Sequence, residues 1–146
     1  MPYLPVSTRK IDKIIIHCSA TPPYRDVSAA DIDHWHKERG WSGIGYNGVI
    51  RRDGRFESGR DVNRRPAHAF GQNRTSIGIC MIGGLADDNL PAPQYTQAQW
   101  RTLGRVISEL QAQYPGAEFI GHRDVGNKAC PGFDVGHWLR TGEVEL

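Results

Sequence analysis

Three consecutive isoleucines, Ile14, Ile15 and Ile16, sit inside the segment IDKIIIHCS. β-Branched side chains favour extended backbone, and successive residues of a strand point to opposite faces. An unbroken apolar run therefore makes both faces of the strand greasy, and both must be covered. That requirement points to an inner strand of a sheet with helices packed on each side. A second run of the same kind, SIGICMIGG, closes on paired glycines at 83–84.

The rest of the chain supplies the covering elements. The segment SAADIDHWHKERG begins at Ser28 with Asp31 three positions on, a capping-box start. Ile32, Trp35 and Arg39 recur at helical spacing, and Gly40 stops the helix. YNGVIRRDGRFESG holds two short runs around Asp53-Gly54, which predicts a hairpin. In TQAQWRTLGRVISELQAQYPG, Thr96 and Gln99 form a capping box, and Trp100, Leu103, Ile107 and Leu110 form the buried stripe. AEFIGH is a last strand and FDVGHWL a short terminal helix. The order β-α-ββ-β-α-β-α describes an α/β fold, a single domain with a central mixed sheet flanked by helices.

Length and charge narrow the function. The chain has 146 residues, enough for one core. A net charge of +2 is too weak to argue for nucleic acid. There is no apolar run of membrane-spanning length, so no stable membrane insertion is expected, and MPYLPVSTRK lacks the apolar core of a secretory signal. Synthesis in the cytoplasm follows as the expectation. The three cysteines, Cys18, Cys80 and Cys130, are an odd number with no CxxC pair, so a ligand or nucleophile role outranks a disulfide framework.

A catalytic zinc takes three protein ligands and keeps one position open for water. His17 ends the first strand and His122 the last, and Cys130 follows on a loop anchored by Pro131. Strand ends can bring such distant segments together. On spacing alone the six histidines permit many other combinations, and Cys130 reads equally as a small buried hydrophobe. Lys128, two residues before Cys130, is either a solvated loop lysine or a cation beside a developing oxyanion. Tyr46 is either a half-buried strand residue or a hydroxyl that orients water or substrate.

The motifs IIIHCSAT, HWHKERGWSGIGYN, RDGRFESGRD, HAFGQNRTSIGICMIGG and GHRDVGNKACPGFD, in that order, closely resemble the zinc-dependent N-acetylmuramoyl-L-alanine amidases of the phage-lysozyme type. These endolysins are related to peptidoglycan recognition proteins. The resemblance runs from about Lys13 to Leu139 and implies a single catalytic domain over 1–146 with its core at 13–139. It implies that His17, His122 and Cys130 hold one Zn²⁺ and that Tyr46 and Lys128 are the catalytic pair. It also implies that His68 lines the substrate groove. The implied reaction is hydrolysis of the amide between N-acetylmuramic acid and L-alanine in peptidoglycan. Asn47 departs from the His that often follows the tyrosine in phage relatives, which bears on the groove wall or on support around the metal site.

The resemblance leaves neighbouring functions to separate. A peptidoglycan-binding module that has lost catalysis would lack a ligand, whereas every position is filled here. A cytosolic amidase recycling soluble muropeptides fits the absent signal as well as an endolysin that reaches the wall through a separate membrane pore. The resemblance to phage relatives of this type implies a second role in inhibiting a phage RNA polymerase, for which the residues offer no independent support. A monomer is expected.

Other residues read as structural. His34 and His36, two apart on one helix, cannot share a metal and read as surface or packing residues. Trp35 and Trp41 read as packing, Cys18 and Cys80 as core, and His137 as structural or exposed. RRDGRFESGRDVNRR reads as a solvated basic hairpin, with an anionic partner as the alternative.

Overall fold

The computed structural model describes residues 2–126 and 129–146. Strand β1 (Lys13–Cys18) pairs in parallel with β4 (Ser76–Met81) on one side and with β5 (Glu118–Gly121) on the other. Beyond β4 lies β2 (Gly48–Ile50), also parallel, and then β3 (Phe56–Ser58), antiparallel. The sheet is thus mixed and five-stranded, in the order β3-β2-β4-β1-β5. The isoleucine run is the inner strand its composition predicts, with Ile14, Ile15 and Ile16 fully buried.

Alternation along the strands divides the core in two. One face carries Ile14 and Ile16 of β1 and Ile77, Ile79 and Met81 of β4, which pack with Leu103, Val106, Ile107 and Leu110 of helix α2 (Gln97–Gln113). Val135 of helix α3 (Val135–Thr141) and Phe133 close this layer. The opposite face carries Val49, Cys80 and Ile82, which pack with Val27 and with Ile32 of helix α1 (Ala29–Glu38). Each of these fully buried aliphatic side chains contributes on the order of 1.5–3 kcal/mol.

Both capping boxes form as the sequence predicts, at Ser28/Asp31 and at Thr96/Gln99. The hairpin closes around a five-residue connection, residues 51–55, in which Gly54 has φ 89° and lies against Ala98 of α2. A Cβ there would fall 2.9 Å from the Ala98 carbonyl oxygen, so only glycine lets the hairpin tip meet the helix.

The arginine-rich segment does not make one charged patch. Arg51 pairs with Asp26 and Glu57. Arg52 donates to the carbonyls of Ile82 and Gln94 and to Gln99, and Arg60 to the carbonyls of Ile44, Gly43 and Arg65. With Arg55 paired to Asp53, four of its six arginines are spent on local structure. Among the described residues no helix is long and apolar enough to cross a membrane.

Candidate functional site

In an open parallel sheet, ligands sit at the carboxyl ends of the strands. Here β1 and β5 are parallel neighbours with Ile16 opposite Gly121. The next residues along each strand, His17 and His122, therefore emerge at the same sheet end. His122 opens a 3₁₀ turn, His122–Asp124, whose Asp124 carboxylate accepts from the Gly121 amide at 2.9 Å. The Arg123 amide donates to the Cys130 carbonyl at 2.8 Å, and the Tyr95 hydroxyl donates to the Pro131 carbonyl at 2.6 Å. These two bonds draw the Cys130 loop back over the strand ends.

The result is a cluster. One ligand atom each from His17, His122 and Cys130 lie within 4.8 Å of one another, with His17 buried and the other two half-buried. The two imidazoles have ring centroids 4.5 Å apart. The donor set, two imidazoles and one thiol, suits a tetrahedral zinc with an open fourth position. Support around the donors fits as well. The Cys18 amide donates to Cys130 Sγ at 2.9 Å, a bond that favours a thiolate. Without a cation the Cys130 thiol is pushed up, by its hydrogen bond with the Cys18 thiol and by burial. A metal would displace that proton.

His68 braces the cluster. Its Nδ1 meets His17 Nε2 at 2.5 Å and its Nε2 meets the buried Ser76 hydroxyl at 2.8 Å. Asn73 holds the loop that carries it, accepting from the His68 and Ala69 amides. Burial, followed by the charges of His122 and Arg9, pulls the His68 pKa from 6.5 to about 3. The ring is neutral at physiological pH, and both its nitrogens are engaged.

The three donors line a cleft of about 230 Å³. Tyr46 forms part of its wall, with its ring centroid 5.0 Å from that of His17. Burial pushes the Tyr46 phenol well above its usual range, followed by the nearby cysteines, so it stays protonated. Ile32 and Trp35 of α1 and the C-cap Arg39 line the same cleft, so the helical stripe is also a cleft wall. Trp41, 39% exposed, lines the cleft and an adjoining groove with Ala67, His68 and His122. Lys128 lies outside the described residues.

Asn47 is not part of the wall. Fully buried, it accepts from the Gly78 amide and donates to the Arg60 carbonyl, fastening the residue before β2 to β4. His36 was not singled out by spacing, yet it is 6% exposed, lines the cleft, and accepts from the Gly45 amide through Nδ1 at 2.9 Å. Its only signal in the sequence is the HWHKERGW context it shares with Trp41.

The likeness to known proteins covers nearly the whole chain. The profile of N-acetylmuramoyl-L-alanine amidases matches residues 7–133. The endolysin of Enterobacteria phage K11 is 42% identical over 136 residues, covering 93% of this chain and 90% of that protein. The solved endolysin N-acetylmuramoyl-L-alanine amidase LysCS of Clostridium intestinale superposes with a TM-score of 0.75 at 30% identity, covering 92% of this chain and 84% of the other. Drosophila PGRP-LB superposes at 0.71 with 29% identity, over 90% and 81% of the two chains. The strand-end cluster thus sits on a scaffold shared with these proteins over nearly its whole length, and the chain belongs to the N-acetylmuramoyl-L-alanine amidase family.

Proposed function

We propose that this protein is a zinc-dependent endolysin that hydrolyses the amide between the lactyl group of N-acetylmuramic acid and the L-alanine of the peptidoglycan stem. The observation that carries the proposal is the convergence of one ligand atom each from His17, His122 and Cys130 within 4.8 Å in the lining of the cleft. One Zn²⁺ held there supplies Lewis-acid chemistry, acidifying a water and polarising the scissile carbonyl.

The chain's own groups do the rest. The cleft lining, which includes Tyr46, Trp41 and His68, holds the glycan–peptide junction over the cluster. Lys128 is assigned to the developing oxyanion, where a cation stabilises charge that the ground state lacks. Hydrolysis adds water across the C–N bond, leaving a lactyl carboxylate and an L-alanine amine. The departing nitrogen must gain a proton. The protonated Tyr46 hydroxyl is assigned to relay it, drawing its replacement from the attacking water. His68 keeps His17 oriented and borders the bound substrate.

We assign catalysis to the whole chain as one domain, with its working core at 13–139. The protein acts after synthesis in the host cytoplasm and release to the wall through a separate membrane pore. Purified peptidoglycan incubated with the protein tests the reaction. New N-terminal alanine, abolished by a zinc chelator and restored by added zinc, is the expected outcome. New reducing sugar ends in its place would identify a glycosidase and overturn the proposal.

A further inference from the structure

Tyr46 can act only if its backbone is fixed, and the structure shows what fixes it. Gly45, immediately before it, is wedged: a Cβ would fall 2.0 Å from the Ala67 carbonyl oxygen. The Ala67 amide donates to the Gly45 carbonyl at 3.1 Å, and the Arg60 amide to the Tyr46 carbonyl at 2.7 Å. The Gly45 N–H, in turn, donates to a side chain. Its acceptor is His36 Nδ1 in α1, at 2.9 Å.

His36 holds the other end of this loop too. Its carbonyl accepts from the Trp41 amide at 3.1 Å. Its ring lies 4.5 Å from that of Trp41 and 5.7 Å from that of Tyr46, centroid to centroid. We propose that His36 is a positioning residue for the reaction, acting through the Gly45 amide to set Tyr46 beside His17 at the cleft wall. Only an imidazole with its proton on Nε2 has Nδ1 free to accept. Burial lowers the His36 pKa, as do the charges of Arg39 and Arg60 against a weaker pull from Asp33, so the neutral form prevails. A histidine that merely filled space would need no acceptor at Nδ1.

The inference rests on the assignment of Tyr46 to the reaction, and isosteres separate the two. In His36→Asn the Oδ1 atom falls near the position of Nδ1. In His36→Gln the acceptor is carried one atom further, and His36→Leu has none. Each variant is assayed, zinc-loaded, on a soluble N-acetylmuramoyl-L-alanyl peptide, with zinc stoichiometry and Gly45 amide exchange measured alongside. His36→Leu and His36→Gln should lose kcat on the order of tenfold to a hundredfold, the range a small misplacement at a reacting centre costs. Zinc binding should stay whole, and Gly45 exchange should quicken. His36→Asn should recover most of kcat and the Gly45 protection. If Asn and Gln variants match in kcat and exchange, or if Leu retains the parent's kcat, the positioning role is wrong. Should the Leu variant fail to fold, the Asn–Gln pair decides alone. A zinc-loaded parent without amidase activity overturns the functional proposal instead, and the exchange order still decides the role of His36.

Discussion

Gly78 shows how tightly individual positions constrain the cluster. It lies in β4, and the His68 ring covers it so closely that a Cβ would meet Nδ1 at 2.7 Å and Cγ at 2.8 Å. The absent side chain is what lets His68 lie on the sheet and reach both His17 and Ser76. Gly78→Ala must therefore move either the ring or the strand. Overpacking of this kind costs about 1–3 kcal/mol. Displacing a group that orients a metal ligand costs roughly tenfold to a hundredfold in metal affinity. A urea melt together with a competitive zinc titration checks both, and an Ala variant with parental zinc affinity would show that His68 does not orient His17. The cluster itself was only partly legible at this scale. Strand-end positions made His17 and His122 candidates, but six histidines left many pairings open, and the ordered motifs of the family singled out the set. His36 was invisible because its partner is a backbone amide nine residues away, brought near by a loop with no periodicity.

Among the elements, the ones with local causes read well from sequence. The isoleucine run, both capping boxes and the apolar stripe of α2 each follow from chemistry within a few residues. The sheet order β3-β2-β4-β1-β5 does not, because the parallel pairs of β1 join segments some 60 to 100 residues apart, such as Lys13 with Ser76 and with Glu118. Gln99 belongs to both levels. Its capping role is local, but the same side chain is fully buried and ties α2 to the sheet. Oε1 accepts from the Thr96 amide and from Arg52, while Nε2 donates to the carbonyls of Ile82 and Ile50. Gln99→Ala strands several of these groups in the interior at about 1–3 kcal/mol for each that finds no new partner. A loss of roughly 2–4 kcal/mol in a urea melt is expected, with zinc stoichiometry and kcat unchanged where the protein is still folded. A loss under about 0.5 kcal/mol, the size of an ordinary surface substitution, would show that α2 does not depend on this residue.

For the whole molecule, the cluster joins β1, the turn after β5 and the Cys130 loop, so a cation bound there ties together segments more than a hundred residues apart in the chain. A ligand that binds only the folded state stabilises it in proportion to the logarithm of its concentration. At a hundredfold excess over Kd the gain is about 2.7 kcal/mol, or roughly 5–10 °C in Tm for a chain of this size. The pH dependence has a definite sign. His68 is held at about 3 when folded, against 6.5 for an ordinary imidazole, so between those values the unfolded chain binds more protons. The stability this group contributes is fully present above pH 6.5 and is lost as the pH falls toward 3. Zinc binding also needs proton-free imidazoles and a thiolate, so its added stability shrinks in the same direction. Thermal melts from neutral to acid pH, with and without zinc, should show both curves falling on acidification and converging. Cys130→Ser should show no zinc-dependent rise at any pH, and should lose amidase activity with it. A Ser variant that gained as much from zinc as the parent would remove Cys130 from the metal site, and with it the link between the strand-end cluster and the chemistry of the cleft.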